Sequence, residues 1–262
     1  MNKMPPPGEL WPTIAPEWML NVPEWLEDFF FNIYKCFVYQ DRYLLMVRGL
    51  GNTLRLTFFA LLLGIALGVV IAMVRVTWDK TGSELRGSGR FFLRLGNIVC
   101  QIYLTVIRGT PVMVQILIMY FVIFSSSNNK LLVGCLAFGI NSGAYVAEII
   151  RSGIMSVDVG QMEAGRSLGF GYVPTMRYIV IPQALKAVLP ALANEFIVLL
   201  KETAVAGYIG MSDLTYAANT IGGTSFEYFY PLLGAALIYL VMVMFFTWLV
   251  GKLERRLRNS ER

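Results

Sequence analysis

The sequence predicts an all-α membrane protein with five membrane-spanning helices, an N-terminal interfacial segment and a short helix on a connecting loop. Three observations carry this. Apolar residues make up 56% of the 262-residue chain, charged residues only 15%, and the mean hydropathy is +0.59, a balance that soluble folds rarely show. Uncharged runs recur at about the 20 residues that a helix needs to cross a hydrocarbon core of roughly 30 Å. The 22 basic residues cluster between those runs and form no continuous stripe.

Residues 1–48 carry six acidic and four basic residues. From Pro16 to Tyr39 aromatic residues dominate, including Trp18, Trp25, Phe29, Phe30, Phe31 and Tyr34, as expected of an interfacial helix on the outer face. Pro5, Pro6 and Pro7 stand where a signal peptide would have a basic start and an apolar core, so insertion is expected to rest on the spans themselves. The first span reads Leu56 to Val74, uncharged between Arg55 and Arg75. Within it Ala60, Gly64, Gly68 and Ala72 recur every fourth residue, placing small side chains on one face for close helix contact. The second reads Gly109 to Asn129, between Arg108 and Lys130, and the third Leu131 to Ile150, interrupted only by Glu148. The fourth, Leu185 to about Gly207, holds Pro190, Glu195, Lys201 and Glu202; the fifth reads Tyr228 to Gly251. Residues 49–253 thus form one membrane domain, followed by the tail 254–262.

Orientation follows from the basic residues. Fourteen of the 22 lie in Arg75–Gly96, Arg151–Lys186 and the tail from Lys252, whereas the loop before the last span offers Asp213 and Glu227. Lys and Arg concentrate in cytoplasmic loops, which puts the N-terminus outside and the C-terminus inside, the arrangement that five spans require.

Histidine is absent, which removes the commonest general base and metal ligand. Cys36, Cys100 and Cys135 are too few and too widely spaced for a disulfide framework or a thiolate zinc site, and read as small packing residues. No G-x-x-x-x-G-K-[ST] phosphate loop occurs. No catalysis, cofactor or nucleic-acid partner is therefore expected.

The loop at 157–182 is too patterned for a simple connector. Asp158 with Gln161 can form a capping box, Gly169 can supply a left-handed end and Pro174 stops any continuation, which predicts a helix from about Val159 to Leu168. Pro182 and Pro190 shape the next span. Glu163, Ala164 and Gly165, then Gly169 after three residues and Ile179-Val180-Ile181-Pro182 after nine more, resemble the EAA loop of ATP-binding-cassette importer permeases, with Gly165 in place of the second alanine and Ile181 in place of leucine. Gly165 is expected to loosen the helix without abolishing it. The strings RGTP (108–111), NSGAYVAEIIRSGI (141–154), PQALKAVLPALANE (182–195) and KET (201–203) resemble the polar amino acid branch of that family, with Ala204 where serine is more frequent and a long extension before Arg42.

The resemblance implies a five-helix subunit that pairs with a second copy or a similar permease. Its loop helix would be a cytoplasmic coupling helix docking on an ATP-binding-cassette ATPase dimer, and an extracytoplasmic amino-acid-binding protein would deliver cargo. Glu163, Ala164, Gly165, Arg166, Ser167 and Gly169 are the coupling candidates. Ionisable groups within spans are costly unless paired or facing a cavity, so Glu148, Glu195, Lys201 and Glu202 are candidates for the pathway. An ion pair of Glu148 with Arg151 and an interfacial position for Lys201 and Glu202 remain open alternatives. Arg108 reads as the anchor of a helix end broken at Pro111. A transporter driven by an ion gradient, or a channel, would be expected to show an internal repeat or a proton relay; a silent scaffold would show no tie to an ATPase.

Overall fold

A computed structural model describes residues 7–15, 23–82 and 85–259. Among them the chain is helical, without strands. The helices are α1 (Pro7–Ile14), α2 (Glu24–Ile33), α3 (Tyr43–Thr81), α4 (Ser88–Arg108), α5 (Val112–Ile118), α6 (Lys130–Met155), α7 (Val159–Ser167), α8 (Tyr172–Ile209), α9 (Leu214–Ser225) and α10 (Phe229–Asn259). Five are long and apolar enough to span a membrane: α3, α4, α6, α8 and α10. By internal packing the chain divides into two units, one of residues 1–53 and 204–242, the other of residues 54–203 and 243–262.

In the larger unit α6 is the innermost helix, with Val133, Phe138, Ala144 and Val146 fully buried. The small-residue stripe of α3 faces it. Ala60 and Ala72 are fully buried, and a Cβ added at Gly68 would stand 2.5 Å from Cγ1 of Val146, so only glycine admits this approach. Tyr103 of α4 donates to the Ile140 carbonyl, and Leu104 packs with Ala144 and Ala147.

The second span differs from the expectation. The run from Gly109 to Asn129 is not one straight helix: α5 begins after Pro111, passes into a π turn at Met119–Ile123 and ends, leaving a helix shorter than a span. The segment with the length and composition of a span is α4, whose Arg90, Arg94, Asn97, Gln101 and Arg108 follow each other at three- to seven-residue steps along one face. Its opposite face exposes Phe91, Phe92, Leu95, Ile98 and Ile102. A search for uncharged runs passes over such an amphipathic helix, while the break at Gly109–Pro111 does not interrupt the run of apolar composition. Arg75, Arg90 and Arg94 accordingly belong to the ends of α3 and α4 flanking a short link, not to a long loop.

α8 opens with one turn at Tyr172–Thr175, passes through a π turn at Met176–Val180 and continues as α-helix from Ile181 to Glu202. Pro174 sits within that opening turn, so it helps start a helix where the sequence suggested a stop. Pro182, which lacks an N–H, stands in the first turn of that α-helical stretch, with Ile181 between it and the end of the π turn.

In the smaller unit the N-terminal segment packs on α9 and α10. Trp11 is buried, its ring edge-on to Phe31 at 5.7 Å and 5.5 Å from Tyr34. Phe29 meets Tyr230 at 5.9 Å, and Cys36 Sγ lies 3.7 Å from Ser225 Oγ. Trp25 and Phe29 of α2 remain exposed beside Glu24 and Asp28; Trp18 lies outside the described residues. Asp213, counted above as an outer-face charge, is instead fully buried and caps α9, accepting from Tyr216 N at 3.0 Å and Thr215 N at 3.1 Å. Burial pushes its carboxyl up to about 6 against the opposing pull of those amides. Around it Asn52 donates to the Ser212 carbonyl at 2.8 Å and Leu214 N to Thr53 Oγ1 at 3.1 Å, fixing the loop before α9 to the start of α3.

Candidate functional site

The patterned loop folds as a capped helix. Asp158 Oδ1 accepts from Gly160 N at 2.6 Å, satisfying one orphan amide at the start of α7. Gln161 does not complete a capping box; its side-chain oxygen accepts from Gln183 of α8 at 3.1 Å. At the other end Phe170 N donates to the Gly165 carbonyl at 3.0 Å and Gly169 N to the Arg166 carbonyl at 2.9 Å, a Schellman motif in which Gly169 takes a φ of +81°.

One face of α7 holds it to the spans. Met162 is buried with Val76 of α3, Ile154 of α6, and Val180 and Ala184 of α8. Gly165 faces inward too, and an added Cβ would stand 2.6 Å from Cγ2 and 2.7 Å from Oγ1 of Thr175. The glycine that was expected to loosen the helix therefore permits a close approach to the first turn of α8. The other face is open: Glu163, Ala164, Arg166 and Ser167 are exposed, with Ser167 Oγ donating to the Glu163 carbonyl at 3.0 Å. Val159, Leu168 and Val173 are each about 70% exposed (70%, 73% and 69%), and Phe170 is partly so. Sequence reading did not single out Val159 or Val173. For Val159 the signal is apolar character at a position of a polar loop helix that the buried i, i+3 pair of Met162 and Gly165 leaves outside, whereas Val173 lies on the opening turn of α8.

The ionisable residues of the spans fall into separate sets. Glu148 Oε1 accepts from Arg151 Nη1 at 3.1 Å, and its Oε2 lies 4.0 Å from Arg108 Nη1. Arg151 Nε also donates to Asp79 Oδ2 of α3 at 2.9 Å. Asp79 and Arg108 were not anticipated as partners, since only i, i+3 pairs are legible without the fold. Glu195 is buried in the packing of α8 on α6 and accepts from Ser142 Oγ at 2.8 Å. Glu202 is half-buried and Lys201 exposed; Thr203 beside them is fully buried, 3.5 Å from Thr57 Oγ1. Gln115 of α5 donates to the carbonyls of Ile107 and Thr110 at 2.8 and 3.1 Å and accepts from Asn141 at 2.9 Å, bridging the break that Gly109 and Pro111 open. Among the described residues no group of three or more acidic or cysteine side chains is placed to hold a metal ion.

Comparison with known proteins agrees with this arrangement. The family model described as "Binding-protein-dependent transport system inner membrane component" matches residues 87–259. A putative glutamine transport system permease protein of Rickettsia bellii is 32% identical over 222 residues, covering 84% of this chain and 95% of that protein. The arginine transport system permease protein ArtQ of Bacillus subtilis is 33% identical over 219 residues, covering 82% of this chain and 94% of that protein. A solved structure described as an amino acid ABC transporter with histidines superposes with a TM-score of 0.74 at 43% identity, covering 84% of this chain and 98% of that one. The rival expectation of an ion-gradient transporter or channel is thereby set aside. With its five candidate spans and its capped loop helix, the chain belongs to the family of binding-protein-dependent transport system inner membrane components.

Proposed function

We propose that this chain is the permease subunit of an ATP-driven importer of polar amino acids. It forms the translocation pathway with a second copy or a similar permease, receives cargo from an extracytoplasmic amino-acid-binding protein and takes its energy from a cytoplasmic ATP-binding-cassette ATPase dimer. The observation that carries this reading is α7: capped at both ends, seated through Met162 on three spans, and exposing Glu163, Arg166 and Ser167 with a rim of Val159, Leu168 and Phe170. Such a surface suits a groove on another protein, and movement of α7 would be passed to α3, α6 and α8 through the Met162 cluster.

Glu148, Glu195, Lys201 and Glu202 contribute the polar groups of the pathway. The aromatic N-terminal segment lies at the outer face against lipid or a partner, the N-terminus outside and the C-terminus inside, as the basic residues at the ends of α3, α4 and α10 favour. The names of the glutamine and arginine permeases that resemble this chain support an amino acid as cargo.

The test is purification of the tagged chain from its native membrane. Copurification of an ATPase with a phosphate loop, and amino acid uptake by the reconstituted complex that needs both ATP and the binding protein, is the expected result. Uptake driven by an ion gradient without ATP would contradict it.

A further inference from the structure

A groove of about 480 Å³ runs along the last half of α10, and every residue that lines it belongs to that helix. Val243, Thr247, Gly251 and Arg255 recur every fourth residue and share one face, with Trp248 and Lys252 beside them. Phe246, on the side of the helix opposite Trp248, meets Phe196 of α8 at 4.9 Å, so the groove looks away from that packing. Trp248 is 55% exposed, and a Cβ added at Gly251 would meet nothing within 4 Å. The glycine therefore leaves a notch beside the indole.

The face changes character along its length. Val243 and Thr247 lie in the apolar run that ends at Gly251, after which Lys252, Arg255, Arg256 and Arg258 follow with one acid, Glu254. Glu254 is two residues from Lys252, about 200° around the helix, so the end of the groove is cationic without an acid of its own. Lys252 Nζ stands 3.7 Å from the centroid of the Trp248 ring, which holds the ammonium at the mouth of the groove. Neither Lys252 nor Arg255 has a carboxylate partner among the described residues. From Val243 to Arg255 the helix rises by about 18 Å, which covers one leaflet of a core roughly 30 Å thick and its headgroup edge, with the tryptophan at the level where indoles gather. A second copy related by a two-fold axis along the membrane normal would set this same face against it at the same depth and bring cation to cation. A phosphate diester above an acyl chain instead matches the face in both charge and length.

We propose that the groove holds one anionic phospholipid of the leaflet from which the tail emerges, its phosphate between Lys252 and Arg255 and an acyl chain laid along Gly251, Thr247 and Val243. The notch at Gly251 admits the glycerol end of the lipid beside Trp248. The site depends on α10 alone, and on neither the cargo nor the orientation proposed above.

The test uses the whole chain, purified and placed in phosphatidylcholine nanodiscs that contain increasing fractions of dibrominated phosphatidylglycerol or dibrominated phosphatidylcholine. Bromine quenches nearby indoles, and the fluorescence that Trp248→Phe removes is the share of Trp248. That share is expected to be half quenched at about a tenfold lower fraction of the anionic lipid than of the neutral one. Gly251→Leu, which fills the notch without meeting protein, and Lys252→Gln combined with Arg255→Gln are each expected to abolish the difference. Arg86→Gln combined with Arg90→Gln removes as much charge from the α3–α4 link and should leave it in place. Where a groove variant fails to fold, the contrast between the two lipids on the parental chain decides. The site is overturned if both lipids quench Trp248 alike, if the filled groove keeps the preference, or if the Arg86 and Arg90 pair abolishes it as fully as the groove pair does. It is equally overturned if Thr247→Cys forms a disulfide with its counterpart in a second copy, read by peptide mass spectrometry, since the face would then be covered by protein.

Discussion

Two buried carboxylates show how a single side chain can be mistaken for its type. Asp213 reads as a loop charge, yet it is enclosed and holds the first amides of α9. Its folded pKa, raised to about 6 from 3.8, means that the protonated form is favoured by folding. The stability that Asp213 contributes is then full below about pH 4 and lost as pH rises through 6, by at most about 3 kcal/mol. Asp213→Asn keeps a capping side chain and removes the titration. Melting of the detergent-solubilised protein at pH 4.5 and pH 7 should therefore differ less in the variant than in the parent, and an unchanged difference would show that Asp213 does not control it. Glu195 was legible as an anomaly inside a span, but its partner Ser142 was not, because it lies 53 positions away in sequence. Glu195→Ala leaves that hydroxyl buried without its acceptor, a loss of roughly 1–3 kcal/mol. The variant should still insert and assemble, with lowered uptake or an altered set of competing amino acids; unaltered kinetics for every amino acid would confine Glu195 to packing.

At the scale of elements, the close fit of α7 against α8 is directly testable. Gly165→Ala places a Cβ against Thr175 and should destabilise the loop by about 1–3 kcal/mol, the usual cost of overpacking. Thr175→Ala in the same chain should restore much of that loss, and proteolysis rates at the loop, measured around the double-mutant cycle, check it. Additive effects would mean that the two residues do not share the contact. The elements most legible in the sequence are those whose local chemistry agrees with their packing. The small-residue stripe of α3 meets α6 as its period requires, and α7 spans Val159–Ser167 because Asp158 and Gly169 terminate it locally. The illegible ones depend on distant partners. The polar ladder of α4 looks like loop charge until Arg75 meets Asn97, and the π turn before Pro182 has no composition of its own.

For the whole molecule, orientation and coupling are the properties that decide function. Five spans with basic residues at the α3–α4 link, around α7 and at the end of α10 favour the proposed orientation, with those regions on the cytoplasmic side. Ser88→Cys at that link should be shielded from an impermeant thiol reagent in intact cells, whereas Ser126→Cys, exposed after the π turn that follows α5, should react above the background of the native cysteines. The reverse pattern would invert the whole arrangement. Coupling is the central claim, and Gly169 offers the most direct access to it. Its φ of +81° costs a β-branched residue roughly 1–2 kcal/mol, so Gly169→Val should undo the Schellman end and redirect Leu168 and Phe170 without touching a span. The deciding measurement is ATP hydrolysis by the purified complex in nanodiscs, with and without loaded binding protein, alongside Glu163→Lys as a charge reversal on the same face. The expected result is a Gly169→Val permease that inserts normally, binds the ATPase weakly and loses stimulation by loaded binding protein; normal assembly with full stimulation and parental transport would contradict the account.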